Sequence, residues 1–344
     1  MIARSTRLFL LAIACLSLLT VAVIAGVALG ETRISLSVVF QVLANQLFGA
    51  GFVVDPIDQG IVWNYRLTRA LVAASCGAGL AVSGVVLQAL LRNALADPYL
   101  LGISAGASTG AVAVALLGLG AGMLSLSMGA FMGALLAFSL VVLLARAAGG
   151  GGLNGTGQII LAGIAGSQLF NALTSFLITK SASAEQARGI MFWLLGNLSG
   201  VNWHDVALAV PVALAGVLLV AWHTRALDAF TFGAESAASL GVPIRRVQAV
   251  LIACTALVTA VMVSIVGSIG FVGLVIPHAA RLLVGVRHGR LVPVSALIGA
   301  VFLIAADVLS RTVIKGQVLP IGVVTALIGA PAFAVILVRG RRLR

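Results

Sequence analysis

Residues 87–110, LQALLRNALADPYLLGISAGASTG, set a polar break at Arg92, Asn93, Asp97 and Pro98 and then a run of Gly, Ser and Ala between two long apolar stretches. In hydrocarbon a non-helical backbone leaves N–H and C=O groups that no water can satisfy, so such a break is tolerated only where protein or a wet cavity surrounds it. Gln88, Asn93, Asp97 and Pro98 are therefore candidates for a pathway or for a structural break. The stretch reads as part of a chain that moves something across a membrane.

Composition agrees. Of the 344 residues 61% are hydrophobic and 9% charged, with a mean hydropathy of +1.18, and a soluble globule could not keep so much apolar surface from water. A spanning helix needs about 20 mostly apolar residues to cross about 30 Å of hydrocarbon. Ten segments qualify: 8–30, 67–91, 98–119, 123–146, 158–180, 204–223, 246–268, 271–286, 291–312 and 320–338. The eighth is short and is interrupted by Gly270, Gly273 and Pro277. The expected fold class is all-α, a polytopic membrane protein of ten transmembrane helices with short re-entrant and coupling helices. No linker is long enough to divide it, so residues 1–344 are expected to form a single transmembrane domain.

Arg4 and Arg7 precede an apolar run longer than the roughly 7–15 residues of a secretory signal, so the first span is expected to be a retained helix. Cys15, Cys76 and Cys254 fall inside spans with no C-x-x-C spacing and read as packing residues, not as a disulfide framework or a metal site. With the N-terminus inside, 14 of the 21 Lys and Arg residues fall on the cytoplasmic side. That bias, together with an even number of spans, places both termini in the cytoplasm. The net charge of +12 then reflects topology, and nucleic-acid binding has no basic soluble domain to support it. The longest outside segments are 31–66 and 181–203. In the second, Met191, Phe192, Trp193 and Leu194 stand against Glu185, Gln186 and Arg188, which suits either an interfacial helix or a re-entrant helix at a pathway mouth.

Three separated motifs then carry a resemblance: Arg66 to Gly110, the segment GFVGLVIPH from Gly270 to His278, and Ala306-Asp307 followed by LPIGVVTALIGAP from Leu319 to Pro331. Together, and in this order, they resemble the FecCD-type permeases, the membrane subunits of ATP-driven importers for ferric siderophores, haem and cobalamin. Thr68 and Ala94 stand where the family often has Pro, and neither change removes a charged or polar group. The resemblance implies a ten-helix subunit that forms a homodimer in a bacterial inner membrane, with the translocation path along the dimer interface. It also implies two cytoplasmic ATPase subunits and a periplasmic substrate-binding protein as partners. No cofactor is expected in this chain; ATP and Mg belong to the ATPase. The sequence agrees, since Lys180 and Lys315 are the only lysines and neither completes the phosphate loop G-x-x-x-x-G-K-[ST]. The chain is accordingly expected to be a transport subunit without catalytic or metal-binding residues of its own.

A permease without its own ATPase must receive work through a surface. Between the sixth and seventh spans, Gly233 can end one element, Glu235 suits the positive end of a short helix, and Gly241 with Pro243 stops it. By resemblance this is the coupling element, carried by Gly233, Glu235, Ser236, Ala237, Leu240 and Gly241. The resemblance likewise assigns docking of the binding protein to Arg66, Arg69 and Arg311, whose guanidinium forks suit carboxylates. It places the cytoplasmic gate in the turn Asn154–Gln158, with Thr156 and Gly157 at its narrowest positions. Asp307 is expected to pair with Arg311 four residues on, Asp97 to cap the third helix, and His278 to act as a structural hydrogen-bonder.

The expected cargo is an iron chelate, haem ahead of ferric siderophores, with cobalamin import by the same machinery as the alternative. An ion-coupled secondary transporter would need acids near the midplane in broken helices, whereas the acids here lie mostly at span ends. An intramembrane enzyme lacks a His-x-x-x-His pair or a Ser with a placed base.

Overall fold

Each of the ten expected spans coincides with a helix. The computed structural model describes residues 2–119, 124–149 and 156–340, and among these no strand occurs. The helices are α1 (Ile2–Ala28), α2 (Leu36–Phe48), α3 (Pro56–Gln59), α4 (Thr68–Leu90), α5 (Ile103–Leu117), α6 (Leu126–Ala147), α7 (Thr156–Ser181), α8 (Ala184–Leu194), α9 (Trp203–Trp222), α10 (Thr224–Phe230), α11 (Ala234–Ser239), α12 (Ile244–Val266), α13 (Val272–Val284), α14 (His288–Thr312) and α15 (Ile321–Gly340). A π-helical segment, Gly60–Leu67, joins α3 to α4 in one continuous helix from Pro56 to Leu90. At 1.5 Å per residue that helix is about 50 Å long, well beyond the roughly 30 Å of hydrocarbon, so one end stands clear of the bilayer.

The 31–66 segment, expected to lie outside as a connector, is largely helical. Within it α2 is capped by Ser35, whose hydroxyl accepts from the Val38 N–H, and closed by Gly49 at a φ of +65°. Its apolar run is too short to register as a span, and it is held by Val39 and Val42 packing against Val27, Val62, Leu67 and Ala70.

The most buried helix is α4, which packs against α14, α9, α12 and α13. Small residues permit this. Gly77 faces the backbone of Gly299 on α14, and Gly84 faces that of Gly273 on α13, with no room for a Cβ at either crossing. On α5 and α6, Gly106 and Gly110 meet Gly133 and Gly129 in the same way, two small-x-x-x-small stripes brought face to face. By contrast α7 and α9 are largely exposed along their length. Beyond α8, itself capped reciprocally by Ser183 and Gln186, the chain turns into the bundle. There the Asn197 N–H donates to the Val266 carbonyl (2.8 Å), while the Ile321 and Gly322 N–H groups donate to the carbonyls of Gly196 (2.9 Å) and Leu195 (3.0 Å).

Candidate functional site

The polar break is closed by local hydrogen bonds. After α4 the chain reverses through Arg92, at a φ of +47°. The Asn93 N–H donates to the Gln88 carbonyl (3.2 Å), and the Asn93 carboxamide oxygen accepts from the Leu95 N–H (2.9 Å). Asp97 accepts from the Tyr99 N–H (2.9 Å), capping a single 3-10 turn, Pro98–Leu101, instead of the long helix α5, which starts after Gly102. Gln88 is buried, its amide facing the carbonyls of Ala96, Gly273 and Leu274 and its oxygen accepting from Arg281 Nη2 (2.6 Å). Tyr99 Oη both donates to the Ile269 carbonyl (3.0 Å) and accepts from the Ile269 N–H (2.9 Å), and Ser104 Oγ lies 2.9 Å from Ser268 Oγ. These last two links, which pin the break to the turn before α13, were not legible in the sequence.

On the side of the chain termini, α10 and α11 form a compact cap. Gly233 has a φ of +105°, and Arg92 Nη1 lies 3.5 Å from where its Cβ would stand. Gly241 closes the turn at a φ of +81°, with its N–H and that of Val242 donating to the carbonyls of Ala238 (2.9 Å) and Ala237 (3.1 Å). Ala237 is buried in a cluster with Phe230, Val247, Leu251 and Leu291, and it seats the short helix. Glu235, Ser236 and Leu240 face outward, and Phe232 and Leu240 are 76% and 71% exposed. The start of α14 is tied to α10 by Asp228, whose Oδ1 accepts from the His288 N–H (2.8 Å) and lies 2.7 Å from His288 Nδ1. A capped helix that is anchored on one side and presents an acid and two large apolar side chains on the other is suited to contact a soluble subunit.

Arg66, Arg69 and Arg311, to which the resemblance assigns docking of the binding protein, are each no more than 2% exposed within the single chain. Arg69 donates through Nε and Nη2 to Asp307 Oδ1 (3.0 and 2.6 Å) and through Nη1 to Tyr65 Oη (2.7 Å) and Ser199 Oγ (3.0 Å). Arg311 Nη2 lies 2.9 Å from Asp307 Oδ2, the expected pairing four residues apart, and donates to the Gly26 carbonyl (3.0 Å). Arg66 donates to the carbonyls of Val27, Ala28 and Thr32 at the end of α1. The physical reason is desolvation: a guanidinium removed from water needs acceptors, and the bundle supplies carbonyls, two hydroxyls and one carboxylate, leaving Arg311 Nη1 buried without a partner. His278 behaves as expected, with Nδ1 2.9 Å from the Leu274 carbonyl.

Of the gate turn, Asn154 and Gly155 lie outside the described residues; Thr156 opens α7, and Gly157 beside it is exposed. At 100° per residue Gly157, Leu161, Ile164, Gln168, Asn171, Ser175 and Thr179 share one face of α7, and all are exposed, so the face is apolar at Leu161 and Ile164 and polar from Gln168 to Thr179. Of the six long apolar helices α7 is the least hydropathic and the least buried. The polar half of that face, from Gln168 to Thr179, is poorly suited to lipid and marks a surface turned to water or to protein.

This is an all-helical, multi-pass membrane protein. The FecCD transport family matches residues 18–339, and the chain belongs to it. It is 40% identical over 336 residues to the uncharacterized ABC transporter permease YvrB of Bacillus subtilis (strain 168), covering 95% of this chain and 92% of that one. It is 42% identical over 293 residues to the cobalamin import system permease BtuC of Halobacterium salinarum, covering 85% and 77%. Among solved structures, an inward-facing conformation of an ABC transporter assigned to the metal-chelate type superposes with a TM-score of 0.80 at 30% identity, covering 95% of this chain and 98% of that one. The chain is thus an ABC importer permease of the FecCD and BtuC type.

Proposed function

We propose that two copies of this chain form the membrane channel of an importer in a bacterial inner membrane, both termini cytoplasmic, that passes a corrinoid of the cobalamin class inward. The observation that carries the path is the polar, uncovered half of the α7 face, Gln168 to Thr179, which a second copy and an aqueous route between copies would satisfy. ATP with Mg binds and is hydrolysed on a separate ATPase that meets α11, and the differential contacts of that helix with the two states of the ATPase bias the channel between inward- and outward-open forms. A periplasmic binding protein delivers the cargo, and residues 1–344 act as one transmembrane unit.

The cobalamin class is favoured by the named cobalamin permease among the relatives. A second reading, haem or a ferric siderophore, is favoured by the metal-chelate neighbour. Cobalamin is itself a metal chelate, so the first reading accommodates both observations. The test is uptake into proteoliposomes holding the chain, its ATPase and its binding protein, with radiolabelled cyanocobalamin, haemin and a ferric hydroxamate supplied in turn. ATP-dependent accumulation of cyanocobalamin alone supports the first reading. Accumulation of an iron chelate without cyanocobalamin replaces it with the second.

A further inference from the structure

The stretch from Ile34 to Val54 contains no charged residue, yet it does not span. Its helix α2 has 13 residues and is about 20 Å long, short of the roughly 30 Å of hydrocarbon. One side of α2 is used up: Val39 and Val42 are buried against the end of α1 and the start of the long helix Pro56–Leu90. The other side is apolar as well and uncovered, with Leu36, Phe40 and Leu47 exposed and Phe48 84% exposed. The turn that follows continues the surface through Phe52, Val53 and Ile57, all exposed. It is not a loose loop, because the Asn45 carboxamide donates to the Phe52 carbonyl and accepts from the Phe52 N–H, both at 2.8 Å. These side chains are therefore held outward on a fixed scaffold.

We propose that α2 and the Gly49–Ile57 turn lie in the bilayer interface as a second, non-spanning membrane anchor, with Phe40, Phe48, Phe52 and Val53 at the acyl-chain boundary of the leaflet away from the chain termini. Three observations select lipid as the occupant. The segment docks where α1 and the Pro56–Leu90 helix end, which is where spans leave the hydrocarbon. The exposed face of α1 through Leu18 and Val21, continued by Leu29 just past its end, leads up to it, so the patch continues an apolar outer surface. Glu31 and Arg33 come before it and Asp58 after, no charge lies from Ile34 to Val54, and the one acid in the turn, Asp55, is taken up in accepting from the Ile57 N–H (2.7 Å). The absence of Lys and Arg from α2 also distinguishes it from a basic amphipathic helix: it holds by apolar burial alone and is indifferent to anionic lipid and to salt.

The test is site-directed spin labelling of the full chain in nanodiscs, in a background with Cys15, Cys76 and Cys254 replaced by Ala that elutes as a single species. Phe40→Cys, Phe48→Cys and Val53→Cys are labelled one at a time, with Leu136→Cys on α6 as a lipid-facing control and Glu31→Cys as an aqueous one. Power saturation should show oxygen favoured over a water-soluble nickel chelate at all three sites, as at position 136, with the same values in purely zwitterionic and in 30% anionic nanodiscs. A nickel-favoured ratio like that at position 31 would overturn the proposal and leave the patch as a docking surface for a soluble protein. Low collision with both reagents, together with dipolar broadening between labels, would overturn it in favour of a second copy. Because the three sites are read separately and all are exposed, failure of one variant to fold leaves the other two decisive.

Discussion

The side-chain amide of Gln88 donates to the carbonyl of Gly273 at 3.2 Å, and that carbonyl is the one left without a helical donor by Pro277 four residues on. The same amide is within reach of the carbonyls of Ala96 (3.3 Å) and Leu274 (3.4 Å), and the amide oxygen takes Arg281. One side chain therefore closes the hydrogen-bonding gap that Pro277 leaves in α13 and holds the loop after α4.

Replacing Gln88 by Leu keeps its bulk and strands a carbonyl and a guanidinium N–H, each at a cost of about 1–3 kcal/mol. Thermal unfolding in detergent should show Gln88→Leu melting well below the parent. Gln88→Glu keeps an acceptor for Arg281 but loses the donor to three carbonyls, so it should fall between them. A Gln88→Leu protein as stable as the parent would show that water fills the gap.

The pair Arg69–Asp307 is buried on both sides, and removing one partner of such a pair typically costs about 3–5 kcal/mol. Asp307→Ala, which leaves Arg69 and Arg311 facing each other without a counter-charge, should lower the yield of folded protein and its melting temperature. Arg69→Ala should do the same to a smaller extent, since Asp307 keeps Arg311 as its partner. The measurement is melting temperature alongside capture of the binding protein per folded molecule. Lost capture with unchanged stability in Arg69→Ala would return this arginine to a surface role.

Glu235 and Ala237 sit two residues apart on α11 and should fail differently. Glu235 is exposed, so Glu235→Arg should leave melting unchanged within about 0.5 kcal/mol while uptake is lost because the ATPase no longer couples. Ala237 is fully buried, and Ala237→Leu should overpack its seat at a cost of about 1–3 kcal/mol. Parent-like uptake by Glu235→Arg would remove α11 from the coupling path.

Gly157 and Asn171 share the exposed face of α7. If that face meets a second copy, Gly157→Cys should form a disulfide between copies in the closed state, since the two Cα atoms must come within about 7 Å, and Asn171→Cys should do so with a yield that changes with nucleotide. Both variants running only as monomers after oxidation, in every nucleotide state and with uptake intact, would move the interface elsewhere.

Local chemistry was readable because its range is short. Asp97 capping the turn at Tyr99, Asp307 pairing with Arg311 one helical turn on, and Gly233 and Gly241 bounding α11 all involve residues within eight positions of one another. The burial of Arg66, Arg69 and Arg311 was not legible, because an arginine at a helix end reads the same in sequence whether it faces water or a carboxylate contributed by a helix far along the chain.

Apolar run length by itself determined that this chain spans a membrane and where its helices run, since the cost of unpaired backbone in hydrocarbon acts on each segment separately. Only the tertiary structure decided that Arg69 meets Asp307 across 238 residues, that Gln88 closes the gap left by Pro277, that α2 lies across the ends of its neighbours and that α7 keeps a polar half-face uncovered. Those outcomes depend on how each helix is rotated against the next, and that rotation is set by close contacts such as Gly77 against Gly299 and Gly84 against Gly273, between residues that no local rule connects.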